Sequence, residues 1–409
     1  MVVPADQPVL RRIGSTQVGA SRTSRLGSPT SLLHADLHNH TLLSDGRGDP
    51  ERAFASMRAS GLDVAALTDH ASLDAPLADL LRAGRLPRGY LHVPGLDAAG
   101  WRRTAELADS HDEPGVFTAI RGFEWTEPVL GHVNVWGSDD FTEVVDVGRM
   151  TSLYTWLSND EMSGALTGFN HPGRERGRFE DFRFDAGVAE RMVSLEMFNR
   201  YDDYLFEGCD AGAVSPLVAC LGAGWRTGLS GASDEHEGNW GDNEGKGRTG
   251  MWVTEHSREG VREAMLARRF FATRSSGLRL DVRARAAGGP PEHPAEASGA
   301  GTTPMGGQLP VSSGEVRFDV DVDRGAGWEG KPLRVQVLRP GPVVPEMVAS
   351  VDLLSGEVAS VTVAVDAVDG DWVVVRISDP TRRNGTPGPD GHPCNDLGVA
   401  YASPFWLAP

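Results

Sequence analysis

The sequence predicts an α/β protein, with a largely parallel sheet closed or nearly closed by helices over residues 33–278 and a small β-rich module over 279–409. Three observations predict it. Short apolar runs alternate with helical stretches as far as Thr273, a segment dominated by Gly, Pro, Ala, Ser and Thr follows at 287–314, and beyond it the pattern switches to period two.

Residues 1–32 are rich in Ser, Thr, Gly and Arg without periodicity and read as a disordered N-terminal arm. Arg11-Arg12 suggests a twin-arginine signal, but the segment that follows is polar and carries further arginines, so the apolar stretch of such a signal is missing. Strand-like runs then appear at 32–38, 64–68, 116–120, 132–136, 165–169, 193–198 and 228–233, with helical spacing at 50–61, 101–110 and 257–269. Asp49 fits an N-cap, Pro50 the first helical position and Gly61 the C-terminal cap, which makes the first strand-helix-strand unit a good βαβ candidate. After the 287–314 loop, alternating runs at 316–322, 333–338, 361–365 and 372–377 predict antiparallel strands of a small sandwich.

Composition narrows the partners. A net charge of -18 repels phosphate backbones, and no Lys/Arg block with interleaved aromatics offers a track, so duplex nucleic acid is not expected. A small anionic substrate stays compatible, because bound divalent cations reverse the local field. No run of about 18 apolar residues predicts a membrane-spanning helix. Cys209, Cys220 and Cys394 are odd in number and lack C-x-x-C spacing, as expected for reduced thiols of a cytoplasmic protein.

The chemistry is carried by a constellation. His38 and His40 close the first strand two residues apart, so both imidazoles can face one metal ion. Asp45 follows in Ser44-Asp45-Gly46, and His70 ends Thr68-Asp69-His70 after the second strand. Glu124, His132 and His171 lie in RGFEWTE, GHVNVWG and GFNHPG, and Asp234 and His236 repeat the two-residue spacing in GASDEHEG. Each alone has an ordinary structural reading, as an ion-pair partner, a core histidine or a loop cap. Jointly, six of the twelve histidines and three carboxylates fall at strand ends or in the following loop, where α/β barrels gather ligands.

In the order H-x-H, S-D-G, T-D-H, later Glu, later His and D-x-H, residues 34–275 resemble the polymerase-and-histidinol-phosphatase (PHP) superfamily. The phrases GFEWT, GHVNV, FNHPG, EMFN, SDEH and REAMLARRFFAT resemble its CehA/McbA-type branch, as do PMGGQL and YASPFWL near the C-terminus. The resemblance implies a distorted TIM-like (β/α) barrel followed by a β-sandwich. It also implies that His38, His40, Glu124 and Asp234 hold one metal, that Glu124 bridges to a second served by His132 and His171, and that Asp45, His70 and His236 form a third site. Family members commonly carry His in place of Asp45, which bears on metal choice there.

Imidazole and carboxylate donors without thiolates suit two or three Zn, Mn or Fe ions. Such ions would lower the pKa of a bridging water and provide hydroxide, so no protein nucleophile is needed. Three divalent ions less three carboxylates leave a cationic surplus that favours a phosphate ester or nucleotide. Arg174 and Arg226 are candidates for a phosphate clamp, with solvent-exposed surface arginines as the alternative. Carbamate or amide hydrolysis of the CehA/McbA type is the second reading, for which Trp125, Trp136, Phe198 and Trp240 would line an apolar pocket, and a catalytically inactive scaffold is the third.

Overall fold

The computed structural model describes residues 21–72, 94–159, 164–241, 245–286, 301–366, 368 and 370–408. In the N-terminal region the strands are β1 (Ser31–Asp36), β2 (Val64–Leu67), β3 (His70–Ala71), β4 (Thr118–Glu127), β5 (Gly131–Trp136), β6 (Leu166–Phe169), β7 (Met192–Asn199), β8 (Asp202–Asp203), β9 (Gly228–Ala232), β10 (Arg248–Val253) and β11 (Phe270–Thr273). Helices α1 (Pro50–Ala59), α2 (Ala98–His111), α3 (Met150–Leu157), α4 (Pro216–Gly222) and α5 (Arg258–Leu266) lie between them. Asp49 caps α1 by accepting from the Glu51 N–H, with Pro50 in the first turn. The buried face of α1, Ala53, Phe54 and Met57, packs with Leu107 and Ala108 of α2 against Ala65 and Leu67 of β2.

The sheet is mixed rather than wholly parallel. β1, β2 and β4 are parallel neighbours, as are β6, β7 and β9, but β5 runs antiparallel between β4 and β6. The chain turns straight back after β4 and pairs Thr126 with His132, which leaves no room for a crossover helix. Nor is a closed barrel ladder present among the described residues. The free edge of β9 is met by side chains instead: the Thr249 hydroxyl accepts from the Gly231 N–H at 3.1 Å and donates to its carbonyl at 2.9 Å, and the Ser403 hydroxyl accepts from the Leu229 N–H at 3.0 Å. These bonds satisfy backbone groups that a strand partner would otherwise take.

Beyond β11 the chain forms β12 (Arg279–Ala286), β13 (Thr303–Pro304), β14 (Gln308–Leu309), β15 (Ser313–Asp323), β16 (Pro332–Arg339), β17 (Glu346–Leu354), β18 (Val358–Asp366), β19 (Trp372–Arg383), β20 (Asp396–Ala402) and β21 (Phe405–Leu407). β13, β12, β15 and β18 make one antiparallel sheet. It shares an apolar core, including Val320, Phe318, Val335 and Ile377, with the layer β17-β16-β19-β20. That second layer is not separate: β20 pairs with β11, so one sheet runs from the N-terminal region into the C-terminal one.

Two expectations about loops change. Residues 21–32 are placed rather than a free arm, since Arg25 pairs with buried Asp321, Ser31–Asp36 is a strand, and only 1–20 lie outside the described residues. Within the expected 287–314 loop, 287–300 lie outside the described residues while 301–314 are placed and include β13, β14 and the start of β15. Gly306 has φ +82°, and a Cβ there would lie 2.3 Å from the Arg268 carbonyl, so PMGGQL can pack against the end of α5 only with glycine at this position.

A buried polar cluster ties the two regions together. Arg376, with no exposed surface, pairs with Asp396 at 2.9 Å and donates to the Tyr401 hydroxyl at 3.0 Å, which in turn donates to Asp203 at 2.9 Å. Asn384 donates to the other Asp203 oxygen at 3.2 Å. Removing one member of a buried pair leaves an uncompensated charge and costs about 3–5 kcal/mol. Arg376→Met should therefore lose stability of that order in urea unfolding. A loss below about 1 kcal/mol would contradict the linking role.

Candidate metal centre

The nine sequence-predicted donors converge. Hydrogen bonds from the Asp234 N–H to the His38 carbonyl and from the His40 N–H to the Glu235 carbonyl, both 3.0 Å, zip segment 38–40 to 234–236. They set H-x-H beside D-x-H. Asp36 at the end of β1 accepts from the Ser233 N–H and hydroxyl at 3.1 and 2.5 Å, fixing the same junction. Asp69 accepts from the Thr41 N–H, the Thr41 hydroxyl and the Ser44 hydroxyl at 2.6–2.8 Å, which folds the loop bearing Asp45 over the site. The fold-back needs Gly46, where a Cβ would meet the Thr41 backbone at 2.7 Å.

Glu124 is the hub. It lies inside β4 rather than at its end, and the register sets it beside His70 of β3. One carboxylate oxygen is 3.1 Å from His38 Nε2 and 3.3 Å from both His132 Nδ1 and His171 Nε2. The other is 2.7 Å from His70 Nδ1 and 3.5 Å from His40 Nε2. Asp234 Oδ1 lies 3.5, 3.3 and 3.3 Å from His38, His40 and His236. Asp45 closes the outer edge at 3.4 Å from His70 and 3.3 Å from His236. His132 does not end a strand. It begins β5, and reaches the same rim because β5 runs antiparallel to β4.

These distances fit cations. Two donors about 2.0–2.1 Å from a tetrahedral ion lie roughly 3.4 Å apart, and the His38–His40 Nε2 pair, at 3.1 Å, shares that scale with the carboxylate contacts above. Groups of mutually close donors are His38, His40 and Asp234; His38, Glu124 and His171; His70, Glu124 and His132; and His40, Asp45, His70 and His236. A further group, His132, His171 and Glu175, adds a carboxylate outside the predicted nine. Glu124 Oε2 is buried with no hydrogen-bond donor aligned on it among the described residues, so its compensation has to come from charge.

Electrostatics among the protein groups agree. Burial lowers the His38 pKa, yet Glu124, Asp234 and Glu196 outweigh it and raise it well above the ordinary value. His40 goes the other way, lowered by burial and by His70 and His236. Burial and Arg174 oppose protonation of His171, but Glu175 and Glu124 carry it up to about 9.

Arg174 reaches the site, with Nη1 3.5 Å from Asp234 and Nη2 donating to Tyr204 Oη at 2.8 Å. Arg226 does not. It is exposed and lies just before β9, at the opposite end of that strand from Asp234, too far along the strand to join a clamp at these donors. Arg200 occupies the place expected for it, 3.0 Å from Asp234 through Nε. Trp125, Trp136, Phe198 and Trp240 are 0–5% exposed and belong to the core; Trp136 also lines a surface cavity with Ile120, Arg121 and Arg258, to which none of the nine donors contributes. Sequence reasoning also passed over Glu196, Glu175 and Asn170, whose amide donates to Glu124 at 2.6 Å. The signal was present for Glu196, a carboxylate inside the apolar run VSLEMF, and for Glu175, four residues after His171.

The profile of a protein family of unknown function, DUF3604, matches residues 71–161, a stretch that includes Glu124 and His132. No curated protein matches the sequence. Among solved structures, the chain is similar to a two-domain protein from Bacteroides vulgatus described as containing a predicted PHP-like metal-dependent phosphoesterase. Identity is 15%, the TM-score is 0.45, and the match covers 95% of this chain and 100% of that one. A likeness of that size leaves the functional reading to the site's own geometry.

Because His171 holds its proton up to about 9, a cation bound through it at neutral pH must displace that proton, and affinity must fall as pH falls. Calorimetric titration with Zn2+ at pH 7 in two buffers of different ionisation enthalpy should show buffer-dependent heats equivalent to about one proton or more. Heats independent of the buffer would contradict this arrangement.

Proposed function

We propose that the protein is a multinuclear metal-dependent hydrolase of the PHP type that acts on small phosphate esters, mononucleotides among them. The observation that carries the reading is one cluster of six imidazoles and three carboxylates, buried around Glu124 and opening to solvent at Asp45, with two guanidiniums at its edge. His38, His40, Glu124, Asp234, His132 and His171 would hold two ions, and Asp45, His70 and His236 a third. Zn, Mn or Fe suits these donors, and such ions when bound supply Lewis acidity and an activated water.

The chain's own residues account for the preference for an anion. Arg174 and Arg200 both touch Asp234 while their side chains stay 35% and 42% exposed, so each guanidinium keeps donors free for an incoming oxygen. Arg174 is fixed by Tyr204 and by Asn199 Oδ1 at 3.2 Å, which leaves its plane set before substrate arrives. No Ser or Cys is needed as nucleophile. The acidic surface, at -18 overall, slows the approach of polyanions and favours metabolite-sized esters over nucleic acids. The branch-level likeness to carbamate hydrolases rests on sequence phrases, and Trp125, Trp136, Phe198 and Trp240 are packed in the core.

Purified protein loaded with Mn, Zn or Fe should hydrolyse mononucleotides or aryl phosphates faster than aryl carbamates or anilides at matched concentration. Turnover of carbamates or amides with none of any phosphate ester would overturn the phosphoesterase reading. Arg200→Ala should raise KM for the best ester about tenfold, the effect of losing about 1.4 kcal/mol of charge-assisted hydrogen bonding. An unchanged KM would remove Arg200 from substrate binding.

A further inference from the structure

Glu196 stands outside the nine donors but touches two of them. It lies on β7 and is 3% exposed. Oε1 accepts from His38 Nδ1 at 2.8 Å, while Oε2 accepts from the backbone N–H of His171 at 2.8 Å and from Asn199 Nδ2 at 2.9 Å. The Asn199 amide is oriented by Arg174, which donates to its Oδ1. His38 belongs to the donor group of His40 and Asp234, His171 to that of His132 and Glu175, and the two share a third group with Glu124. His171 also has φ +28°, outside the backbone range that non-glycine residues favour, so its position depends on the bonds that hold it.

We infer that Glu196 is a positioning residue that couples two metal subsites, fixing the His38 ring for one and the His171 backbone for the other. The inference rests on the metal-centre reading above. Its chemistry is specific to a carboxylate. Three donors converge on Glu196, and only a group with acceptors on both oxygens satisfies them all. By accepting from His38 Nδ1, it keeps the ring proton there and leaves the Nε2 lone pair facing Glu124, Asp234 and a cation. An isosteric amide fails in either orientation. With its NH2 toward His171 it opposes two other donors, and with its NH2 toward His38 it drives the ring proton onto Nε2.

The test compares wild type, Glu196→Gln and Glu196→Asp by Zn2+ and Mn2+ titration against a chromophoric chelator, alongside thermal melting of chelator-treated protein. E196Q should melt cooperatively and bind the ions about 10–100-fold more weakly, the usual effect of losing a partner that orients a ligand. E196D, one methylene short but still acceptor-only, should bind more tightly than E196Q. A packing role predicts the reverse order, because glutamine preserves the volume and aspartate does not, so that order would overturn the inference. Wild-type affinity and stoichiometry in E196Q would overturn it too, leaving the metal centre intact. Fewer than two ions bound by wild type would overturn the metal-centre reading and this inference with it. Should E196Q fail to melt cooperatively, E196D carries the test: weaker binding than wild type supports the coupling and equal binding rejects it.

Discussion

A carboxylate sealed inside a sheet constrains everything around it. Glu124 has no exposed surface, and its two oxygens face five imidazoles within 3.5 Å. An ionised carboxylate so placed is costly unless paired, and among the protein groups that pairing falls to His38 and His171, whose pKa values are raised, while His40 is held low by its neighbours. Cations bound among these donors would take over that pairing, and Glu124 is the residue common to two of the candidate donor groups around it. Its place mid-strand matters. A group held by ladder bonds on both sides, to β3 and to β5, cannot drift to relieve the strain.

The rest of the fold serves that position. The β4–β5 hairpin brings His132 back to Glu124 without a crossover, and the zip between 38–40 and 234–236 joins chain segments almost two hundred residues apart. The C-terminal region reaches the rim through Asp203, which the Tyr401 hydroxyl and Asn384 hold immediately before Tyr204, the residue that fixes Arg174. Continuity of the sheet through β11 and β20 makes the two regions one mechanical unit. Geometry at the site's edge therefore depends on side chains far along the chain.

Much of the candidate site was legible in the sequence because its information is local. H-x-H and D-x-H each start two residues beyond a strand end, where the expected strand period no longer applies, since Asp234 has φ +50° and the zip between the two segments sets their side chains instead; Asp49-Pro50 with Gly61 marks the first helix almost to the residue. What failed was non-local. Nothing in HVNVW distinguishes a strand reached by hairpin from one reached by crossover, so the sheet read as more parallel and more closed than it is. Arg226 and Arg200 look alike as arginines next to ligand strands, but one precedes its strand and the other follows, and only strand direction separates them. Residues 21–32 lack periodicity, yet Arg25 finds its partner at Asp321, a pairing that composition cannot show. Glu196 was hidden by its success: a carboxylate in an apolar strand is visible, while the three donors it satisfies come from three places in the chain.

The central claim is that one buried cluster holds several cations about Glu124. Crystals of the active protein, measured at and below the absorption edge of the metal that elemental analysis finds in it, test this most directly. The account predicts at least two anomalous peaks, one between His38, His40 and Asp234 and one beside His132 and His171, with Glu124 contacting both. A fully active protein with a single peak, or with none in this cluster, would contradict it.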